Sequence, residues 1–315
     1  MQNAKRPSDP AARRERGPDR SILDAIGDTP LVQVDEVWAK LEFLNPSGSV
    51  KARLAKYVIE RAEAEGLLRP GDVIVEASSG NTGNALSMVA AVKGYRMLVV
   101  MPKGVSRERA AISRAFGAEV LEVGDFHVNE ALEKAADLGT QPGYFAPQQF
   151  ESDWNVEENR TWLGPEILAQ LPDGLRPDAL VSGVGTGGTL VGVGQAFRRA
   201  NPACRLVALE PAESPTILRG EIGKHLIEGI SDGFVPGIFD RYRGVIDEVM
   251  EIPSAEAVAE MRRIAREHGM LVGPSSGAHM VAAKRTMAEH PECHTVVALF
   301  PDEGEKYLAE PEFYG

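Results

Sequence analysis

A lysine heading one helix and a glycine-rich turn opening another are the features of this 315-residue chain best suited to chemistry. Lys51 lies in NPSGSVKAR, Asn45 to Arg53, behind a loop of small residues and at the start of an amphipathic segment. There it meets the positive end of a helix, which lowers an amine's pKa and favours the neutral nucleophile over a solvated surface ammonium. The turn SGVGTGGTL, Ser182 to Leu190, follows an apolar strand and opens a helix, so its backbone N–H groups can cradle an anion. Thr186 and Thr189 add hydroxyls to that cradle. Two further Gly- or Ser-rich turns, at residues 78–83 and 273–277, stand before helices in the same way.

The glycine turn alone is ambiguous. Gly183, Gly185 and Gly188 satisfy GxGxxG, and Glu210 lies about 25 residues on, where the ribose-binding acid of a dinucleotide site belongs. A tight strand-to-helix turn with no ligand also fits. Lys51 shifts the balance, because a reactive amine with a separate phosphate cradle is what a pyridoxal phosphate Schiff base requires. NAD-dependent oxidoreduction stays open as the alternative of another class.

These groups must be carried by a fold, and the pattern names its class. From Ala52 to Glu65, Leu54, Val58, Ile59 and Ala62 form one stripe of a helix that Gly66 can end. A strand at Val73–Glu76, a helix at Asn81–Lys93 closed by Gly94, and a strand at Met97–Met101 then make a βαβ unit. A helix near Arg107–Phe116, a strand at Glu119–Val123 and a helix near Asn129–Leu138 follow, and the first lobe runs to about residue 150. The second lobe repeats the alternation with strands at Ala179–Val184, Arg205–Glu210 and Thr295–Phe300, and helices from the glycine turn to Arg199 and at Ala255–His268. The class is α/β, with mostly parallel sheets in two lobes. The link at 148–163 carries Trp154 and Trp162, too aromatic for a floppy tether, so tightly apposed lobes with a cleft between them are expected.

The counts exclude several classes. Lys and Arg number 34 against 46 Asp and Glu, and the net charge of −12 repels nucleic acid, so a small-molecule partner is expected. Cys204 and Cys293 are too few for a disulfide framework and lack metal-site spacing, so no metal is expected. No apolar run approaches the about 18 residues of a membrane span, and no signal-peptide region leads the chain, which predicts a cytoplasmic protein. The first 20 residues, with six basic side chains from Lys5 to Arg20, read as a disordered tail.

Eight ordered motifs carry a family resemblance across about residues 22–310: GDTPLV at Gly27, NPSGSVK at Asn45, EASSGNTG at Glu76, QQF at Gln148, SGVGTGGT at Ser182, EGISDGFVP at Glu228, VGPSSGA at Val272 and PDEGEKYL at Pro301. The chain resembles the cysteine synthase and cystathionine β-synthase family, pyridoxal 5′-phosphate enzymes of fold type II. The resemblance implies two three-layer α/β domains: a smaller one of residues 45–152, and a larger one of residues 21–44 plus 153–315 with the phosphate site. It implies that Lys51 carries the cofactor, that Gly185, Thr186, Gly187, Gly188 and Thr189 hold its phosphate, and that Asn81 contacts the ring hydroxyl. Ser275 would face the pyridine nitrogen, where a serine does not enforce protonation. Ser78, Ser79, Thr82 and Gln149 would bind the substrate carboxylate, with Gln148 a substitute for Gln149. Helix capping is an alternative task for the two serines.

The implied reaction is β-replacement on an activated serine, acetylated or phosphorylated, by sulfide or a thiol, with Lys51 also removing the Cα proton. Cystathionine formation from serine and homocysteine is the close alternative. Three places depart from the cysteine synthase pattern: Ala52 where many relatives have Asp, EASSGNTG for EPTSGNTG, and EGISDGF for an uncharged GIGAGF. The last places Glu228 and Asp232 near the expected cleft, where an acid can orient a second substrate's amino group or activate a nucleophile; cystathionine β-synthases carry a comparable Glu. Arg219 is a candidate for a phosphorylated leaving group. No Cys or His precedes His127, which argues against N-terminal haem ligation, and the short sequence after PDEGEKYL predicts constitutive activity without a regulatory domain. A homodimer is also implied.

Overall fold

The computed structural model describes residues 20–104, 107–124 and 128–314. All of the basic tail but Arg20 lies outside them, as does His127.

The chain builds two sheets. The smaller has four parallel strands: β3 (Val73–Ala77), β4 (Arg96–Pro102), β5 (Glu119–Val123) and β6 (Tyr144–Phe145), in the order β5-β4-β3-β6. Every residue of β3 is buried, as its near-continuous apolar run requires of a strand covered on both faces. Helices α1 (Lys51–Ala64) and α2 (Asn81–Lys93) share an apolar cluster with the β3 and β4 side chains Ile74, Met97 and Val99. Close packing of α2 needs a glycine at 83, since a Cβ there would sit 2.9 Å from a Val99 methyl. Gly94 ends α2 in the left-handed region, donating its N–H to the Ala90 carbonyl. Helices α3 (Arg107–Ala115) and α4 (Asn129–Gly139) complete this half.

The larger sheet is mixed. Strands β1 (Leu31–Val34) and β2 (Val37–Leu41) form an antiparallel hairpin, and β2 runs parallel to β10 (Val296–Phe300). Beyond β10 lie β7 (Ala179–Gly183), β8 (Arg205–Pro211) and β9 (Glu248–Ile252), all parallel. The alternation of strands and helices announced β7, β8 and β10, whereas the hairpin, β6 and β9 are additions that the sequence pattern did not reveal.

Residues 153–163 are helical, after a turn at 149–151: α5 (Asp153–Glu158) runs into a π-helical turn, Asn159–Leu163, and then into α6 (Gly164–Gln170). Both tryptophans of this segment stack on cations of α1: Arg61 lies 4.9 Å from the Trp154 ring centre, and Arg53 5.1 Å from that of Trp162. The remaining helices are α7 (Gly188–Ala200), α8 (Thr216–Arg219), α9 (Gly237–Tyr242), α10 (Ser254–His268), α11 (Pro274–Glu289) and the short α12 (Pro311–Tyr314). No helix among the described residues is long and apolar enough to cross a membrane.

A buried charge network lies below the first residues of α1. Arg53 donates to Glu42 (2.8 Å from Nε) and to Glu166 (2.7 Å from Nη2), while Lys40 pairs with Glu166 at 2.5 Å. Thr29 and Asn45 also donate to Glu42. For Arg53 and the two glutamates mutual pairing outweighs burial, holding Glu166 down at about 2, Glu42 below its usual value and the Arg53 guanidinium above its own, whereas burial keeps Lys40 below the ordinary lysine value.

Candidate active site

Strand ends gather the chemistry, as the topology of parallel α/β sheets dictates. Past β3 comes the turn Ser78–Gly80 into α2; past β7 comes the glycine loop into α7; past β10 come Pro301 and Asp302. Two adjoining cavities open among these ends, and Lys51, Asn81, Gly185, Thr186 and Gly229 line both.

Lys51 is the first residue of α1, and among the described residues its ammonium makes no hydrogen bond or ion pair. Its pKa lies below the ordinary lysine value chiefly because it is buried; Glu158, Asp232 and Asp302 oppose that shift without reversing it. The lowering expected from the sequence is present, with burial as its leading cause.

The first cavity extends from Lys51 to the glycine loop. Gly185, Thr186, Gly187 and Thr189 line it, together with Ser275 and His279. Gly187 is the N-cap of α7 at φ +84° with no side-chain hydrogen bond of its own, so the N–H groups of the first turn other than that of Gly188 remain available to an anion. Gly188 lines neither cavity: its N–H is donated to the Thr186 hydroxyl oxygen at 3.2 Å, and a Cβ there would overlap the Asn155 amide. Asn155 was missed in the sequence, yet its Nδ2 donates to both Thr186 Oγ1 and the Gln149 carbonyl at 2.9 Å, joining the two halves of the site. Behind the loop, His279 Nε2 accepts from Gly183 N–H at 2.7 Å while Nδ1 contacts the Leu299 carbonyl at 2.6 Å. Desolvation drops this histidine to about 4, so it is neutral with its proton on Nδ1.

The second cavity is lined by Ser78, Ser79, Thr82, Gln149, Arg109 and Asp232. Ser78 Oγ accepts from the N–H groups of Gly80 at 3.1 Å and Gly83 at 2.9 Å, so it does cap the turn, and its own proton stays available. Thr82 Oγ1 donates to Gln149 Oε1 at 2.6 Å, and Gln149 Nε2 donates to the Ala77 carbonyl at 3.0 Å. Beneath them the buried Glu76 accepts from Gln149 N–H at 3.2 Å, and burial pushes its carboxyl up to about 8. Gln148 lines neither cavity and sits at φ +53°, a strained turn residue that lets Gln149 point inward.

Of the EGISDGF acids, Asp232 faces the second cavity and is held above the usual carboxylate range by burial. Glu228 lines the first and forms an ion pair with Arg109, whose Nη1 also donates to the Ser79 carbonyl at 3.3 Å. Arg109 thus ties the Ser78–Gly80 turn to the EGISDGF loop; nothing in its local sequence distinguishes it from a surface arginine.

Two candidate residues drop out. Glu210 binds no ribose: both its oxygens accept backbone N–H groups, of Ile217 at 2.7 Å and Leu218 at 3.1 Å, at the start of α8. The acid is thereby consumed as a structural cap, and the dinucleotide reading loses its second element. Arg219 lines neither cavity but pairs with Glu251 at 2.9 Å on the exposed end of α8.

The donor set fits pyridoxal phosphate: an uncapped helix start and two hydroxyls for a phosphate, a serine for a ring nitrogen, and an unpaired buried amine within the same cavity. Fold and site together define a pyridoxal phosphate enzyme of fold type II. A family model described as "Pyridoxal-phosphate dependent enzyme" matches residues 22–302, and the chain belongs to that family. A cysteine synthase from Staphylococcus aureus is 43% identical over 300 residues, 92% of this chain and 96% of the relative. An O-ureido-L-serine synthase from Streptomyces lavendulae is 44% identical over 304 residues, 94% of this chain and 93% of the relative. The crystal structure of an O-acetylserine-dependent cystathionine β-synthase from Helicobacter pylori superposes with a TM-score of 0.88 at 34% identity, covering 95% of this chain and all of that one.

Proposed function

We propose that the protein catalyses β-replacement on an activated L-serine, O-acetylserine or O-phosphoserine, with sulfide to give L-cysteine. The observation that carries this reading is the position of Lys51, an unpaired amine shared by a phosphate-type cavity and a carboxylate-type cavity. The cysteine synthase relative at 43% identity supports it.

In this reading Gly185, Thr186, Gly187 and Thr189 hold the cofactor's phosphate, with Gly188 bracing Thr186 behind them, and Asn81 takes its ring oxygen, Ser275 its ring nitrogen and Lys51 its carbonyl carbon. Bound pyridoxal phosphate supplies an electron sink for the bond at Cα. Ser78, Ser79, Thr82 and Gln149 take the substrate carboxylate with hydroxyls and amides around a helix start, so no buried cation is needed. Lys51 Nζ, kept readily deprotonated by burial, takes the Cα proton.

A second reading, cystathionine formation with homocysteine, is favoured by one observation: Asp232 and Arg109 offer an acid and a guanidinium in the second cavity, a match for an amino acid nucleophile. The homodimer implied by the resemblance and the cytoplasmic location expected from the sequence belong to this proposal too, and a mass of 34 kDa alone on gel filtration contradicts the dimer.

Assays of O-acetylserine, O-phosphoserine and serine against sulfide and homocysteine decide between the readings. Cysteine as the dominant product supports the first, and cystathionine the second. Lys51→Ala is expected to abolish turnover and the visible band of the bound cofactor; full activity in that variant overturns the site.

A further inference from the structure

Two side chains of the PDEGEKYL run have no task so far. Lys306 is buried, and its ammonium donates to three oxygens: Asn81 Oδ1 at 2.9 Å, the Gly48 carbonyl at 3.1 Å and the Ser47 carbonyl at 3.4 Å. Asp302 is buried as well; its Oδ2 accepts from Asn81 Nδ2 at 2.9 Å and from the Tyr307 hydroxyl at 2.7 Å. Its Oδ1 is buried with no hydrogen-bond partner among the described residues, and the residue lines the cavity that holds Lys51.

An ammonium can only donate and a carboxylate only accept. Between them the Asn81 amide has a single orientation, oxygen toward Lys306 and nitrogen toward Asp302. One N–H of that nitrogen serves Asp302, and the other is left over on a residue that lines both cavities. Lys306 meanwhile grips the carbonyls of residues 47 and 48, in the loop that delivers Lys51. A single cation therefore fixes both the amide's orientation and the path of the chain into the reactive lysine.

We propose that Lys306 and Asp302 are positioning residues for the cofactor, which lock Asn81 so that it presents an N–H donor to the ring oxygen of pyridoxal phosphate. This rests on the cofactor reading above.

The test is a double-mutant cycle on cofactor binding, read by titrating apoprotein with pyridoxal phosphate and following affinity and the absorption maximum of the bound form. Lys306→Met is expected to weaken binding by about tenfold and shift the band, the loss of roughly one good hydrogen bond. Lys306→Arg should restore most of both. In an Asn81→Ala background, Lys306→Met should add clearly less than it does in the wild type, because the share of its effect that passes through the amide is gone and only its hold on the loop before Lys51 remains. Asp302→Asn, read on the same two backgrounds, carries the test if Lys306→Met does not fold. Equal losses with and without Asn81, or an unchanged affinity and band, overturn the inference while wild-type binding leaves the cofactor reading standing. A wild-type protein that binds no pyridoxal phosphate overturns both.

Discussion

Acid should loosen this protein through one histidine. His279 is neutral in the fold because its Nε2 is occupied by the Gly183 N–H and its Nδ1 proton by the Leu299 carbonyl, so a second proton has nowhere to sit. Its pKa falls from 6.5 to about 4. In the unfolded chain the imidazole titrates normally, so below about pH 6.5 the unfolded state binds more protons than the folded one. The stability associated with this group is therefore complete above about pH 6.5 and is lost as the pH falls toward about 4. A shift of 2.5 units, 6.5 less 4, at about 1.4 kcal/mol each puts the whole effect on the order of 3 kcal/mol. Urea unfolding of wild type and His279→Gln at a series of pH values isolates it. The stability difference between them should shrink by about 2–3 kcal/mol from about pH 7 to about pH 4.5. Cofactor retention should fall in the same window, since protonation removes the acceptor from the N–H at the start of the glycine loop. Parallel stability curves for the two proteins would refute the reasoning.

Other perturbations separate structure from chemistry. Glu166→Ala leaves Lys40 and Arg53 without a shared buried partner and should cost about 3–5 kcal/mol in denaturant unfolding. Arg109→Ala breaks the tie between the Ser78–Gly80 turn and the EGISDGF loop; its partly exposed ion pair contributes only about 0–1 kcal/mol, so the expected change is a several-fold higher KM with a nearly unaltered melting temperature. Steady-state rates at varied amino-acid concentration measure it, and an unchanged KM removes Arg109 from the site. Asp232→Asn should alter the pH profile with homocysteine more than with sulfide, and identical profiles take Asp232 out of the mechanism.

What the sequence disclosed was local. Lys51 at a helix start and glycines at a strand end follow from periodicity and turn chemistry, which neighbouring residues determine. What it concealed depends on partners far along the chain. Lys40 and Glu166 are 126 residues apart in sequence, and each alone reads as a solvated charge; only their meeting makes burial tolerable. The β1–β2 hairpin is invisible for a related reason, because β2 finds its parallel neighbour in β10 at the far end of the chain. Arg109 and Arg219 differ in nothing but where the fold carries them. Glu210 shows the converse, a residue at the right spacing for a ribose whose oxygens the backbone has already claimed.

Gly185 faces the Gly229 carbonyl so closely that a Cβ would lie 2.6 Å from it. The main chain of the EGISDGF loop is thus pinned against the glycine loop, while its side chains at 228 and 232 project into the two cavities. Under the proposed function, exchanging those side chains would alter the cavity walls that meet the nucleophile without redrawing the backbone beneath, so a change of acceptor would need single substitutions only, with no insertion or deletion.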